Sequence, residues 1–316
     1  MKDGLHVIFG ADRNVIPGLH VAALSVLLSH INKELSLHFH VFTDALTTED
    51  LSVLRKTLDG THHPYVLEIH RADASMLREY PLLRDSGAAF FRLLAPQVIT
   101  ADRFIYLDVD ILCYLAIEEL WEIDLQGCVA GFVPEATIQS SADSALADFL
   151  GKSVDGPYLN SGVMLVDRHA WQTQQITERC LEYLSHGPAM FRDQSALNYV
   201  LRGSWHQLET RFNYIANWRR NWPSMISVDR LKGKILHFVD HPKPWDLFGE
   251  WVHPNYQLWR SFLKLTEVRD YHSLHRVAAR LPHTLASWRS YKKALKDRLL
   301  FHGYRRGLLK RVKGLP

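Results

Sequence analysis

Phe104-Ile105-Tyr106-Leu107-Asp108-Val109-Asp110 is an apolar, β-branched and aromatic run that ends in two carboxylates. Residues 104–107 read as a buried strand, and acids two positions apart on an extended backbone project from the same side. Beyond a strand end the chain meets solvent, where binding sites of α/β sheets lie. Two hard oxygen ligands there suit Mn²⁺ or Mg²⁺, and such an ion suits a diphosphate. An Asp-x-Asp occurs about once by chance in a chain of ordinary composition this long. The strand before it and the segments around it give it weight.

Working outward, Leu5-His6-Val7-Ile8-Phe9 reads as a first buried strand, ending in the polar loop Gly10-Ala11-Asp12-Arg13-Asn14. Pro17 suits a first helical turn, and Leu19 to Ile31 carries helical spacing. Leu37 to Phe42 is a second strand, Thr47 or Thr48 can cap a helix to about Leu58, and Tyr65 to Ile69 is a third strand. This alternation predicts βαβ units and a parallel sheet. Downstream, a helix is expected over 88–98, strands over 128–133 and 160–166, and a short helix near Ala145. Helices are expected at about 169–186 and 191–201, and short late strands at 205–208 and 235–238.

The chain has 316 residues, 47% apolar and 22% charged, which is globular composition with enough chain for a large core. No run of 18 or more apolar residues predicts a membrane span. The N-terminal residues lack the pattern of a signal peptide, so a cytoplasmic location is expected. Cys113, Cys128 and Cys180 are too few and too widely spaced for a disulfide framework or a cysteine-based zinc site. Net charge is +3, yet residues 287–316 hold ten Lys/Arg and one acid, leaving 27 basic and 33 acidic residues in the body. A body of net charge −6 is not built to bind nucleic acid.

In the tail, Trp288, Tyr291, Leu295 and Leu299 recur at helical spacing among basic residues, with a break at Gly303. Such a helix can lie on an anionic membrane surface. Its other reading is a solvated helix whose apolar stripe packs on the body.

Two carboxylates alone do not complete a metal site. His237, after a strand, is a candidate third ligand, and Lys243, in a loop stiffened by Pro242 and Pro244, could reach a phosphate. Taken singly, a histidine there is more often structural. Asp193-Gln194 could simply complement a helix N-terminus. Asn160-Ser161-Gly162 could be a turn or a hydroxyl-binding site, and Arg92 either a surface residue or a contact to sugar or phosphate.

Gly10-Ala11-Asp12-Arg13-Asn14, Phe91-Arg92-Leu93, Tyr106-Leu107-Asp108-Val109-Asp110, Leu159-Asn160-Ser161-Gly162-Val163-Met164-Leu165, Asp193-Gln194 and His237-Phe238 with Lys243-Pro244-Trp245 occur in one order. In that order the chain resembles glycosyltransferase family 8, the retaining α-glycosyltransferases, and among them the bacterial lipopolysaccharide galactosyl- and glucosyltransferases. The resemblance covers about residues 5–262. It implies an α/β GT-A fold, Rossmann-like and nucleotide-binding with a mixed central sheet, over residues 1–266. Residues 267–316 would form a basic, amphipathic helical tail.

The same resemblance implies transfer of galactose or glucose from UDP-galactose or UDP-glucose to a glycan acceptor, lipopolysaccharide or otherwise lipid-linked, with Mn²⁺ (or Mg²⁺) as cofactor. Asp108, Asp110 and His237 would ligate the metal. Asp12 and Asn14 would contact uridine, and Lys243 the diphosphate. Arg92, Asn160, Asp193 and Gln194 would line the donor sugar, with Asp193 and Gln194 the catalytic candidates. Residues 287–316 would hold the enzyme peripherally on the inner face of a membrane. Two positions depart from the family pattern. Asp240 stands where a phosphate-approaching glycine is usual, and Pro134-Glu135 occupies the place of an acidic sugar contact. Asp240 motivates the alternative reading, a sugar-nucleotide- or glycan-binding protein of the same fold with weak or lost catalysis.

Overall fold

The computed structural model describes residues 4–71, 88–215, 228–239, 241–253 and 255–276, with seven positions between 281 and 292. A seven-stranded mixed sheet has the order β3-β2-β1-β4-β7-β6-β8. Its strands are β1 (Leu5–Gly10), β2 (Leu37–Thr43), β3 (Val66–Arg71), β4 (Arg103–Leu107), β6 (Ala130–Thr137), β7 (Pro157–Asp167) and β8 (His206–Gln207). β1 runs parallel to β2 and to β4, and β2 parallel to β3, as the alternation of strand and helix predicts. β7 is antiparallel to both β4 and β6.

The longer helices are α1 (Ile16–Ser29), α2 (Thr48–Asp59), α3 (Phe91–Val98), α4 (Ser144–Leu150), α5 (Arg168–Thr173), α6 (Ile176–His186), α7 (Asp193–Val200) and α8 (Tyr256–Leu263). Pro17 lies in the first turn of α1. Thr47 caps α2 in a reciprocal box with Asp50, a device worth about 1 kcal/mol. Alternation along the strands divides the core between the two faces of the sheet. Leu5, Val7 and Phe9 pack with α1, while Ile8, Phe42, Tyr106 and Met164 pack with Phe91 and Trp171 of α3 and α5.

Two local expectations are corrected, and one strand is added. The helix expected over 169–186 is two helices, α5 and α6, because Gln175 adopts a left-handed conformation (φ 52°) between them. Asp108 and Asp110 do not sit on one extended backbone. β4 stops at Leu107 and the chain turns at Val109–Asp110 into β5 (Ile111–Cys113), a strand the sequence reading lacked. β5, β10 (Ile235–His237) and β9 (Tyr214–Ile215) form a second, three-stranded sheet.

Residues 267–276 continue onto the body: the Glu267 backbone N–H donates to Thr57 Oγ1 at 3.0 Å and Tyr271 Oη donates to the Trp245 carbonyl at 2.8 Å. Among the helical positions between 281 and 292, Thr284 and Tyr291 are buried whereas Leu281, Leu285 and Trp288 are exposed. Leu295, Leu299 and the rest of the expected tail lie outside the described residues, as does Asp240. No helix among the described residues is long and apolar enough to cross a membrane. All three cysteines are free, with Cys113 and Cys180 buried.

Candidate functional site

The second sheet assembles the site. β10 is antiparallel to β5 with His237 opposite Ile111, and the Phe238 N–H donates to the Asp110 carbonyl at 2.8 Å. His237 therefore arrives beside an acid 127 positions earlier in the chain. One ligand atom from each of Asp108, Asp110 and His237 falls within 4.8 Å of the others. His237 Nε2 stands 3.2 Å from Asp110 Oδ1 and 3.8 Å from Asp108 Oδ2.

A chain of hydrogen bonds sets the imidazole's tautomer. The Gly162 backbone N–H donates to Asn160 Oδ1 at 3.0 Å, which identifies that atom as the oxygen. Asn213 must then turn its Nδ2 toward Asn160 Oδ1 (2.8 Å), and its Oδ1 accepts from His237 Nδ1 at 2.9 Å. His237 Nε2 is thereby left to face two carboxylates. A cation set among these three atoms would be held by two carboxylate oxygens and the Nε2 lone pair. Two carboxylates and one imidazole with an ordered outer shell fit Mn²⁺ or Mg²⁺.

Two basic side chains flank this cluster. Lys243 Nζ donates to Asp110 Oδ2 and, at 2.7 Å, to the Phe238 carbonyl. Burial opposes the charge of Asp110, but Lys243 and His237 outweigh it and hold the carboxyl far below the usual range. Burial likewise opposes the Lys243 charge, and Asp110 outweighs it, so its pKa is raised. Arg92, 4% exposed at the start of α3, donates from Nη2 to Asp108 Oδ1 at 2.7 Å and lies 3.0 Å through Nε from Asp193 Oδ2. Its Nη1 donates to Ser161 Oγ (2.8 Å) and the Ser161 carbonyl, and the guanidinium stacks 4.6 Å over the Tyr106 ring. The two acids more than offset the burial that would lower its pKa.

Antiparallel pairing of β7 with β4 brings the Asn160-Ser161-Gly162 segment to this end of the sheet, and the Asp108 N–H donates to the Gly162 carbonyl at 2.8 Å. A side chain at 162 would not fit: a Cβ there would lie 2.2 Å from His237 Cε1 and 2.9 Å from Asp108 Oδ2. Asp193 and Gln194 open α7. Burial pushes the Asp193 pKa up, while Arg92 pulls it down. Gln194 Oε1 accepts from the Ser161 N–H at 3.1 Å. Asp12 and Asn14 lie in the loop after β1, at the same end of the sheet as Asp108, because β1 and β4 are parallel neighbours. Asp12 Oδ1 accepts the Asn14 N–H at 2.7 Å and shapes that loop.

The structure thus gathers Arg92, Asp108, Asp110, Asn160, Asp193, Gln194, His237 and Lys243 into one contact network. It adds Asn213, to which sequence reasoning assigned no role, and gives specific contacts to Ser161 and Gly162, read only as part of a segment, and to Glu135, read only as standing in the place of an acidic sugar contact. Glu135 Oε2 accepts from Asn160 Nδ2 at 2.7 Å, and a register shift in β6 between Pro134 and Ala136 aims it there. Its position after a strand was the available signal. Asn213 had none, being one amide in a short helical turn.

The family model described as Glycosyl transferase family 8 matches residues 6–248. The lipopolysaccharide 1,2-glucosyltransferase of Escherichia coli K12 is 26% identical over 96% of this chain and 88% of its own length. The lipopolysaccharide 1,3-galactosyltransferase of Salmonella typhimurium LT2 is 26% identical over 81% of this chain and 77% of its own. Among solved structures, galactosyltransferase LgtC in complex with donor and acceptor sugar analogues superposes with a TM-score of 0.67 at 20% identity. That match covers 83% of this chain and 96% of LgtC and bears on the fold.

Proposed function

The chain belongs to glycosyl transferase family 8 and is a glycosyltransferase, and on that premise we propose that it transfers galactose or glucose from a UDP-sugar to a lipopolysaccharide-type glycan acceptor with retention. The observation that carries this reading is the convergence of Asp108, Asp110 and the tautomer-fixed His237 beside Lys243 and Arg92. Relatives whose names specify glucosyl or galactosyl transfer to lipopolysaccharide favour the hexose donor and the acceptor class.

Asp108, Asp110 and His237 would hold a Mn²⁺ or Mg²⁺ ion, which would supply Lewis-acid neutralisation of charge on a departing UDP. Lys243 binds the diphosphate, and Asp12 and Asn14 contact the uridine. Asn160, Asp193 and Gln194 line the donor sugar. Arg92 holds Asp108 and Asp193 in place through its fork of donors. Asp193 is a poor nucleophile, since Arg92 and Ser161 both engage its Oδ2. This favours reaction on one face of the sugar, with a leaving phosphate oxygen taking the acceptor's proton, over a double displacement through Asp193.

The test is UDP release from UDP-galactose and UDP-glucose with Mn²⁺ and with EDTA. Slow hydrolysis of one donor, abolished by EDTA and by Asp110→Ala, is expected. Tight Mn²⁺-dependent UDP binding without turnover, even with added acceptor, would favour the binding-protein reading, and no UDP binding would overturn the donor site.

We also place the enzyme peripherally on the inner face of a membrane through residues 287–316. Leu281 and Leu285, exposed ahead of the basic tail, and Trp288, exposed at its start, support this reading, while Tyr291 of the same stretch is buried. Pelleting with anionic liposomes should fall on removal of residues 287–316; equal pelleting would refute it.

A further inference from the structure

A second group of ligand atoms lies on strands β1, β2 and β3, at the edge of the main sheet. Parallel register sets His6 opposite His38 and His40 opposite Glu68. His70, two positions after Glu68, projects from the same face of β3. The imidazoles stack across the strands, with ring centroids 4.6 Å apart for His6–His38 and 5.2 Å for both His6–His40 and His40–His70. His40 is buried in the middle strand, a position where an apolar β-branched residue would satisfy the sheet at no polar cost. Both its ring nitrogens are engaged: Nε2 lies 2.9 Å from His6 Nδ1, and Nδ1 lies 3.0 Å from His70 Nε2. Glu68 Oε2 is 3.9 Å from His40 Nδ1, and its side chain is about half exposed. The adjacent His38 Nδ1 is buried with no hydrogen-bond partner, 3.8 Å from Glu68 Oε1.

We propose that His40 Nδ1, His70 Nε2 and the Glu68 carboxylate form a binding site for a divalent transition metal of the zinc class, separate from the Asp108–Asp110–His237 centre. One ligand atom of each residue lies within 4.8 Å of the others. Zinc bonds of tetrahedral geometry set neighbouring ligand atoms about 3.3 Å apart, a spacing that the 3.0 Å and 3.9 Å separations at His40 bracket. Two imidazoles and one carboxylate suit Zn²⁺, in contrast to the oxygen-rich Asp108 site, and water through the open Glu68 side can complete the shell. When His40 Nδ1 ligates, its Nε2–H donates to His6 Nδ1. That is the outer-shell bond that orients a metal-bound histidine. The ion would tie edge strand β3 to β2, binding only the folded chain and stabilising it.

The experiment is Zn²⁺ titration by calorimetry on the full chain carrying Asp108→Ala and Asp110→Ala, which removes the other site, with Co²⁺ absorption as a second readout. One equivalent of Zn²⁺, a raised melting temperature and Co²⁺ visible bands of low-coordinate intensity are expected. Glu68→Gln and His70→Ala, both on the edge strand, should each weaken Zn²⁺ binding at least tenfold and leave the melting temperature in EDTA near the parent's. In the chain with both aspartates intact, His70→Ala should lower bound zinc by one equivalent, so the result does not depend on the double variant's folding. Zn²⁺ affinity unchanged in both edge variants, or a zinc content unaffected by His70→Ala, would overturn the proposal.

Discussion

Asn213 Oδ1 accepts the Nδ1–H of His237 at 2.9 Å, and through that single bond the amide determines which imidazole nitrogen faces Asp108 and Asp110. Asn213→Ala should weaken Mn²⁺ binding about 10- to 100-fold, the effect typical of outer-shell loss at a metal histidine. The measurement is Mn²⁺ titration by electron paramagnetic resonance. Unchanged affinity would show that His237 is oriented by other contacts.

Gly162 is required by space, since any Cβ there meets His237 and Asp108. Gly162→Ala should displace the imidazole, abolish Mn²⁺-dependent UDP release and destabilise the fold by about 1–3 kcal/mol from overpacking. Urea unfolding and the release assay, run on the same preparation, check both parts. Full metal affinity in this variant would mean that β7 shifts to make room.

Arg92 is buried against Asp108 and Asp193, so Arg92→Ala leaves two acids uncompensated and should cost about 3–5 kcal/mol. Arg92→Lys keeps the charge but loses the fork that reaches Asp108, Asp193 and Ser161 together, and should recover only part of the stability. Adding Asp193→Asn to Arg92→Ala should lessen the loss, because one orphaned charge is gone. Strict additivity in this cycle would contradict a direct coupling.

His20 and His253 make stability fall in mild acid. Burial lowers His20 to about 4, against a small opposing pull from Asp50, and burial together with Lys243 lowers His253 to about 3. Both imidazoles are neutral in the fold at pH 7. Below the ordinary value of about 6.5 the unfolded chain takes up protons that the folded chain does not. Stability is thus full above pH 6.5 and declines as pH drops toward 4, by about 3 kcal/mol for His20. Denaturation midpoints between pH 7.5 and 4.5 should fall in the native chain and fall less in His20→Gln. Parallel curves would remove His20 from this account.

Much of the fold was legible because its signals are local. Pro17, the Thr47–Asp50 cap and the apolar runs of β1, β2 and β4 each act within a few residues, through backbone geometry that any chain obeys. The break at Gln175 and the turn at Val109–Asp110 escaped, since neither carries a glycine or proline to announce it. Asp108, Asp110, His237 and Lys243 were nameable singly, and their order along the chain carried the family resemblance.

By itself the sequence determined the strand that leads into Asp108, the acid spacing, the uneven charge of body and tail, and the alternation that makes a largely parallel sheet. Only the tertiary structure decided that His237 meets those acids, that Asn213 sets its tautomer, that a bulge aims Glu135 at Asn160, and that His40 lies opposite Glu68. The physical reason is that side-chain periodicity follows from a few consecutive dihedral angles. Register between strands far apart in sequence follows from which faces can be buried together, and that is a property of the whole core.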